Sequence, residues 1–404
     1  MISQDETAQA HHVMKEIFSA AGANSISDIQ IRSESAVYCH TKQGLEIIGS
    51  LGLVSPDTVM SVVKYLYSKQ DGETMGETAK LQNQRDVEAR LIEDKVADFS
   101  TEGFPLPDGT ISGRMRVQAH LSTSGPGVTA RILSDEIAEL DTLGLAPDTI
   151  MAIRDCMTRR QGFGLVTGQT GSGKSTTLAA ILDWLRQNYP RHIVTIEDPI
   201  EYRYSKYLSH KTPDGKLIPA PGFTTQQEVG KHLGSYKQGL KDALRKAPHV
   251  ILLGEIRDRE TMEIAIEAAQ TGHVVISTLH TNGAVKTLSR ILEFFPQAQH
   301  RSLLGRLSEI LMFILSQGLI PTSDGRVLNY EFLQNNSSSV RSGIASYDGA
   351  AKSLEDAIRH SGNIEWDKNL TNLLNAGKIS HQAFQMNRMN EEEADDLLFI
   401  QEAG

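Results

Sequence analysis

Gly168-Gln169-Thr170-Gly171-Ser172-Gly173-Lys174-Ser175-Thr176 decides how the chain is read. It fits G-x-x-x-x-G-K-[ST], a loop that cradles phosphate with successive backbone N–H groups. The apolar run before it, Phe163 to Thr167, predicts a short buried strand. The stretch from Ser175 to about Gln187 predicts a helix, with Leu178, Ile181, Leu182 and Leu185 at helical spacing. Strand, glycine loop and helix is the context the motif needs, because the helix N-terminus adds a favourable dipole for an anion. In such a loop Gly168, Gln169, Thr170, Gly171, Ser172, Gly173, Lys174, Ser175 and Thr176 bind the nucleotide. Lys174 reaches the β- and γ-phosphates, and the Ser175 hydroxyl ligates Mg²⁺.

Working outward, residues 149–335 alternate apolar strands with helices, which predicts a mostly parallel sheet. Candidate strands are 163–167, 192–196, 250–253 and 273–278. Each ends on a polar segment: the glycine loop, Glu197-Asp198-Pro199-Ile200-Glu201, Gly254-Glu255-Ile256-Arg257-Asp258, and Thr278-Leu279-His280-Thr281. Ligands of open α/β sheets bind beyond the carboxyl ends of the strands, so these four segments are expected to converge. Residues 203–224 read as a surface excursion, and 299–318 as one amphipathic helix.

The first 135 residues read as a small α+β domain. Its alternating runs include 27–32, 36–40 and 114–119, with a helix from Pro56 to Lys69. Residues 70–90 form a polar connector, and 136–148 a linker punctuated by Gly144 and Pro147. Residues 336–404 read as small helices with an acidic end at Glu391–Glu393 and Asp395-Asp396.

Composition bounds the function. The 404 residues carry 40 Lys and Arg against 50 Asp and Glu, a net charge of −10. That balance argues against a chain whose main task is gripping nucleic acid. Two cysteines, Cys39 and Cys156, make no disulfide framework and suit a reducing cytosol. The acidic start lacks a signal-peptide core, and the greasiest stretch, 310–320, is too short for a bilayer. A cytoplasmic protein that meets membranes only through partners is expected.

Glu255 ends an apolar strand, where a nucleotide hydrolase keeps the group that activates water; it reads as the general base or as a helix N-terminal carboxylate. Glu197, Asp198 and Glu201 are hard oxygen donors suited to Mg²⁺, or a solvated turn. His280 sits on the productive end of its strand, as a γ-phosphate sensor or a structural histidine. His273 sits at the opposite end. Arg114 and Arg116 alternate onto one face, near Arg131, and on pattern alone they read as an exposed face.

Together these motifs resemble the type II/type IV secretion ATPases, the PilT/GspE-like branch of RecA-like motors. The resemblance rests on the phosphate loop, the acidic box 195–201, an atypical Walker B at 250–258 with Gly254 in place of its usual Asp, and a histidine box from Thr271 to Thr281. Gly113 to Val117 and Gly125 to Arg131 look like the family's arginine strands. Gln226-Gln227-Glu228-Val229, His232 to Tyr236 and Ala243 to Lys246 look most like the DotB/TraJ group of type IVB secretion and conjugation systems.

The resemblance implies a PAS-like N-terminal domain (1–135), a RecA-like ATPase domain (149–335) and a helical C-terminal extension (336–404), assembled as a homo-hexamer. It implies ATP and Mg²⁺ as cofactors, held between the two domains and a neighbour. Glu255 becomes the catalytic base. Glu201 assists at the metal with Ser175 and Glu197, His280 takes a catalytic place, and Arg114, Arg116 and Arg131 clamp phosphate. The implied partner is an inner-membrane secretion or conjugation complex, or a second ATPase at its cytoplasmic face, without sequence-specific nucleic acid binding. The tetracysteine module of the GspE-type motors is absent. The rival readings are a PilT-like retraction motor and a RecA-type ring DNA helicase or translocase.

Overall fold

A computed structural model describes residues 3–21, 26–41, 44–69, 87–104, 113–133, 136–323, 325–349, 354–356, 358 and 363–389. Most of the 70–90 connector and the acidic end at 391–396 lie outside these residues. The chain divides into two compact units, Met1–Glu136 and Ile137–Gly404.

The first unit opens with α1 (Gln4–Ala21). Strands β1 (Ile26–Arg32), β2 (Val37–Thr41) and β3 (Gly44–Ile48) then form a meander, followed by α2 (Pro56–Ser68). Ser55 caps α2 by accepting from Thr58 N, and Pro56 stands in the first turn, where its missing N–H costs nothing. Strands β4 (Val96–Thr101), β5 (Met115–Ser122) and β6 (Gly125–Ile132) complete an antiparallel sheet ordered β3-β2-β1-β6-β5-β4. Alternate residues of β5, Met115, Val117 and Ala119, are fully buried with Val59, Val62, Val63 and Leu66 of α2 in one core.

The second unit is a three-layer sandwich. Helix α3 (Pro147–Thr158) precedes β7 (Gly162–Thr167), the phosphate loop and α4 (Lys174–Asn188). Then come β8 (His192–Glu197), a two-stranded sheet of β9 (Tyr207–Lys211) and β10 (Leu217–Pro219), and β11 (Phe223–Glu228). Helix α5 (Tyr236–Leu244), β12 (Val250–Leu253), α6 (Arg259–Gln270), β13 (Val274–Leu279) and α7 (Ala284–Glu293) follow. Helix α8 (His300–Ile310) leads into the hairpin β14 (Leu311–Thr322) and β15 (Gly325–Gln334). Helices α9 (Ser338–Ala345), α10 (Trp366–Asn375) and α11 (His381–Asn387) close the described chain.

The sheet order is β11-β8-β12-β13-β7-β14-β15, parallel except for β15. Helices cover both faces, so the central strands lack a polar side. All six residues of β7 and all four of β12 are buried. Phe163, Leu165, Ile251 and Leu253 enter the core beneath α5 to α9; Val166, Val250 and Leu252 enter the core beneath α3 and α4. Each fully buried side chain of this kind contributes about 1.5–3 kcal/mol of transfer free energy.

Two expectations are corrected. The single helix over 299–318 ends at Ile310, and Leu311 to Thr322 form β14, parallel to β7. Leu303, Leu304 and Leu307 set a helical period, but Leu311 to Leu315 are continuously apolar and buried on both sides, which is a strand pattern. The surface excursion ends at Gly222, because Phe223 to Glu228 pair in parallel with β8 as the sheet's edge. Leu140 and Leu145, in the stretch expected as a linker, are buried in the core beneath α3.

Candidate functional site

The carboxyl ends of β7, β8, β12 and β13 lie along one edge of a parallel sheet, so the four polar segments that follow them share that edge. Gly168 leaves β7 with φ 142°, and a Cβ there would stand 2.2 Å from the Gln317 carbonyl oxygen. Only glycine fits that turn. Lys174 folds back over the loop, where its Nζ donates to the carbonyls of Gly168 (2.9 Å) and Gln169 (2.8 Å). Burial lowers its pKa, while the charges of Glu255 and Glu201 pull it back up. Ser175, one residue on, is exposed. Thr176 Oγ1 is 2.8 Å from the Tyr202 hydroxyl, joining α4 to the acidic box.

Glu255 follows β12. Its Oε2 accepts from Arg257 Nε and Nη2, each at 2.8 Å, and its Oε1 lies 3.3 Å from His280 Nε2. The strand ends beneath are cross-tied: Ser277 Oγ donates to the Leu253 carbonyl at 2.9 Å, and Thr278 Oγ1 to the Gly254 carbonyl at 2.6 Å. His273 lies before the first residue of β13, a strand length of about 20 Å from His280, with Nδ1 3.2 Å from the Ala268 carbonyl.

In the acidic box, Glu197 accepts from Thr195 Oγ1 at 2.6 Å and from Gln226 Nε2 at 3.3 Å. Its carboxyl is pushed up to about 7, by burial first and also by Glu201 and Glu228. Glu228 is 6% exposed; it pairs with Lys231 at 2.8 Å and accepts from Ile200 N at 3.3 Å, pinning the box to β11. Among the described residues no cluster of three or more His, Cys, Asp or Glu is arranged to hold a metal ion by itself. The oxygen donors Ser175, Glu197 and Glu201 nonetheless suit Mg²⁺, which is held by one or two protein oxygens together with phosphate and water.

The arginines expected to clamp phosphate belong to the first unit. The reading that set Arg114 and Arg116 on one face is corrected. Arg114 precedes β5 and is 4% exposed, whereas Arg116 is exposed within it. Arg131 lies opposite Arg116, and its Nε donates to Asp28 Oδ1 at 2.7 Å.

Three contributors escaped the sequence reading: Arg257, Tyr202 and Gln317. Gln317 is 2% exposed on β14, and its Nε2 donates to the Ser172 carbonyl at 2.7 Å. Its signal was present, since Ser316-Gln317-Gly318 interrupts an otherwise apolar run.

The chain is similar to several known proteins. A family model described as "Type II/IV secretion system protein" matches residues 87–386. A twitching motility protein of Neisseria gonorrhoeae is 37% identical over 298 residues, covering 73% of each chain. The crystal structure of the pilus retraction motor PilT with bound ADP superposes with a TM-score of 0.75 at 32% identity, over 94% of this chain and 98% of that one. The Legionella pneumophila ATPase DotB gives a TM-score of 0.72 at 27% identity, over 93% and 94%.

Proposed function

Since the chain belongs to the type II/IV secretion system protein family, the traffic ATPases related to PilT and DotB, we propose that it is an Mg²⁺-dependent ATPase that powers a secretion apparatus. The observation that carries the reading is the single edge shared by Lys174 and two carboxylates whose charge it feels, Glu201 and Glu255. Loop amides and Lys174 bind the β- and γ-phosphates. Glu255, oriented by Arg257 and His280, takes the proton of the attacking water. Ser175, Glu197 and Glu201 would hold Mg²⁺, which when bound would neutralise phosphate charge. Arg114, Arg116 and Arg131 add phosphate contacts.

The working form is a homo-hexamer that converts hydrolysis into domain rotation, because ATP and ADP favour different domain arrangements. The apparatus is of the type IVB secretion or conjugal transfer kind, supported by the 226–246 stretch and the likeness to DotB. A pilus retraction motor is the second reading, favoured by the 37% identity to the twitching motility protein and the likeness to PilT. In both, the partner is a membrane complex or a second ATPase at its cytoplasmic face. Among the described residues no helix is long and apolar enough to cross a membrane.

The test is the ATPase assay on the purified chain, followed by capture of partners with Glu255→Gln, which is expected to bind ATP without turning it over. Recovery of secretion or conjugation components supports the first reading, and pilus platform components the second. ATPase activity that rises on adding DNA, with a steep salt dependence, would move the protein to the ring translocases instead.

A further inference from the structure

One strand joins the phosphate loop to the C-terminal helices. Gln317 of β14 grips the loop twice. Its side chain donates to the Ser172 carbonyl, and its own carbonyl oxygen packs so tightly on Gly168 that no Cβ fits between them. The next residue, Gly318, lies under Trp366 of α10: a Cβ there would stand 2.7 Å from the indole Cη2. Trp366 in turn donates from Nε1 to the Asn387 carbonyl at 2.8 Å, and Asp367 Oδ1 accepts from Met389 N at 2.9 Å. A cavity of about 280 Å³ separates the loop tip, at Gln169 and Thr170, from these same helices, with Trp366, Asn387 and Met389 on its far wall.

The contacts leave β14 little freedom. Backbone atoms meet side chains on both of its flanks, and a packed interior moves between discrete arrangements rather than deforming smoothly. Two buried polar atoms, Ser172 Oγ and Gln317 Oε1, have no hydrogen-bond partner in this arrangement.

The geometry points to Gln317 as a positioning residue that holds the phosphate loop in its binding shape, and to Trp366 as the contact through which loop occupancy reaches the C-terminal helices. This rests on the nucleotide reading above.

The chain contains two tryptophans, so a Trp184→Phe background isolates the emission of Trp366. Calorimetry with Mg·ADP measures binding independently. The expected result is a change in Trp366 emission that saturates with the calorimetric midpoint. Gln317→Leu and the similarly long Gln317→Met, which both lack the donated hydrogen bond, should raise KM for ATP about tenfold with kcat changed far less. Both should also silence the emission change at saturating ADP. A merely structural strand residue would lower Tm and leave the KM-to-kcat ratio and the emission response in place. Calorimetric binding with silent Trp366 emission overturns the proposal and leaves the ATPase reading standing, as does an unchanged KM in both variants. A chain that binds no ADP at all overturns both.

Discussion

His280 Nε2 stands 3.3 Å from Glu255 Oε1, bridging the loops that follow two neighbouring parallel strands. The other oxygen of that carboxylate is forked by Arg257. A carboxylate held from two sides has little rotational freedom, which a group that must aim at one water requires.

Replacing Glu255 with Gln should retain ATP binding and lower kcat by about 10²–10⁴, the usual contribution of a general base. Single-turnover hydrolysis with binding measured in parallel checks this. Undiminished turnover would remove Glu255 from the reaction.

Lys174→Ala should weaken nucleotide binding by about 2 kcal/mol, the worth of a charged hydrogen bond to phosphate. Equilibrium binding of ADP and ATP reads it directly. The greater loss is expected with ATP, since the Nζ lies over the loop mouth where the terminal phosphates belong.

Removing Mg²⁺ with EDTA should abolish turnover, and Ser175→Ala should raise the Mg²⁺ concentration needed for half-maximal rate. Ser175 is exposed at the start of α4, so the variant should fold with unchanged Tm. Equal Mg²⁺ dependence in both proteins would exclude the hydroxyl as a ligand.

Glu331 supplies a test by pH. Its Oε1 accepts from Ala284 N at 2.5 Å, capping α7, and its carboxyl is pushed from 4.5 up to about 7. Burial is the main cause, the Ala284 N–H opposes it, and Glu355, Glu365 and Asp367 add to it. Between pH 4.5 and 7 the folded state therefore holds more protons than the unfolded state, so stability falls as pH rises through that window. Glu331→Gln keeps the accepting oxygen and removes the titration. At pH 8 the variant should be more stable than the parent by about 1 kcal/mol, allowing for partial exposure, and at pH 4 the two should match. Urea melts at the two pH values decide it.

Much of the second unit was legible because buried parallel strands write themselves as short apolar runs, each ended by a glycine or a polar residue. That holds for β7, β8, β12 and β13. Strand β11 hid because Thr224, Thr225, Gln226 and Gln227 are half-exposed at an edge and carry no apolar pattern. Strand β14 hid behind the helical period of the residues before it. In the site, Lys174 and Glu255 announced themselves by motif. Gln317 did not, because a buried amide takes its meaning from a carbonyl 145 residues away. The first-unit arginines show the limit of alternation: Arg114 precedes its strand, so the two-residue period does not govern it.

The C-terminal helices are stitched to β15 by more than chain continuity. Phe332 and Ile364 exchange both backbone hydrogen bonds, at 2.8 and 3.0 Å, and Asn329 reaches the Trp366 carbonyl and Asn369. A shortened chain stopping at residue 335, where the hairpin ends, would bare Ile320 and Val327, which pack against Leu370, Leu373 and Phe384, to water. Such a fragment should precipitate or lose its affinity for ADP, which its solubility and an equilibrium binding measurement would read.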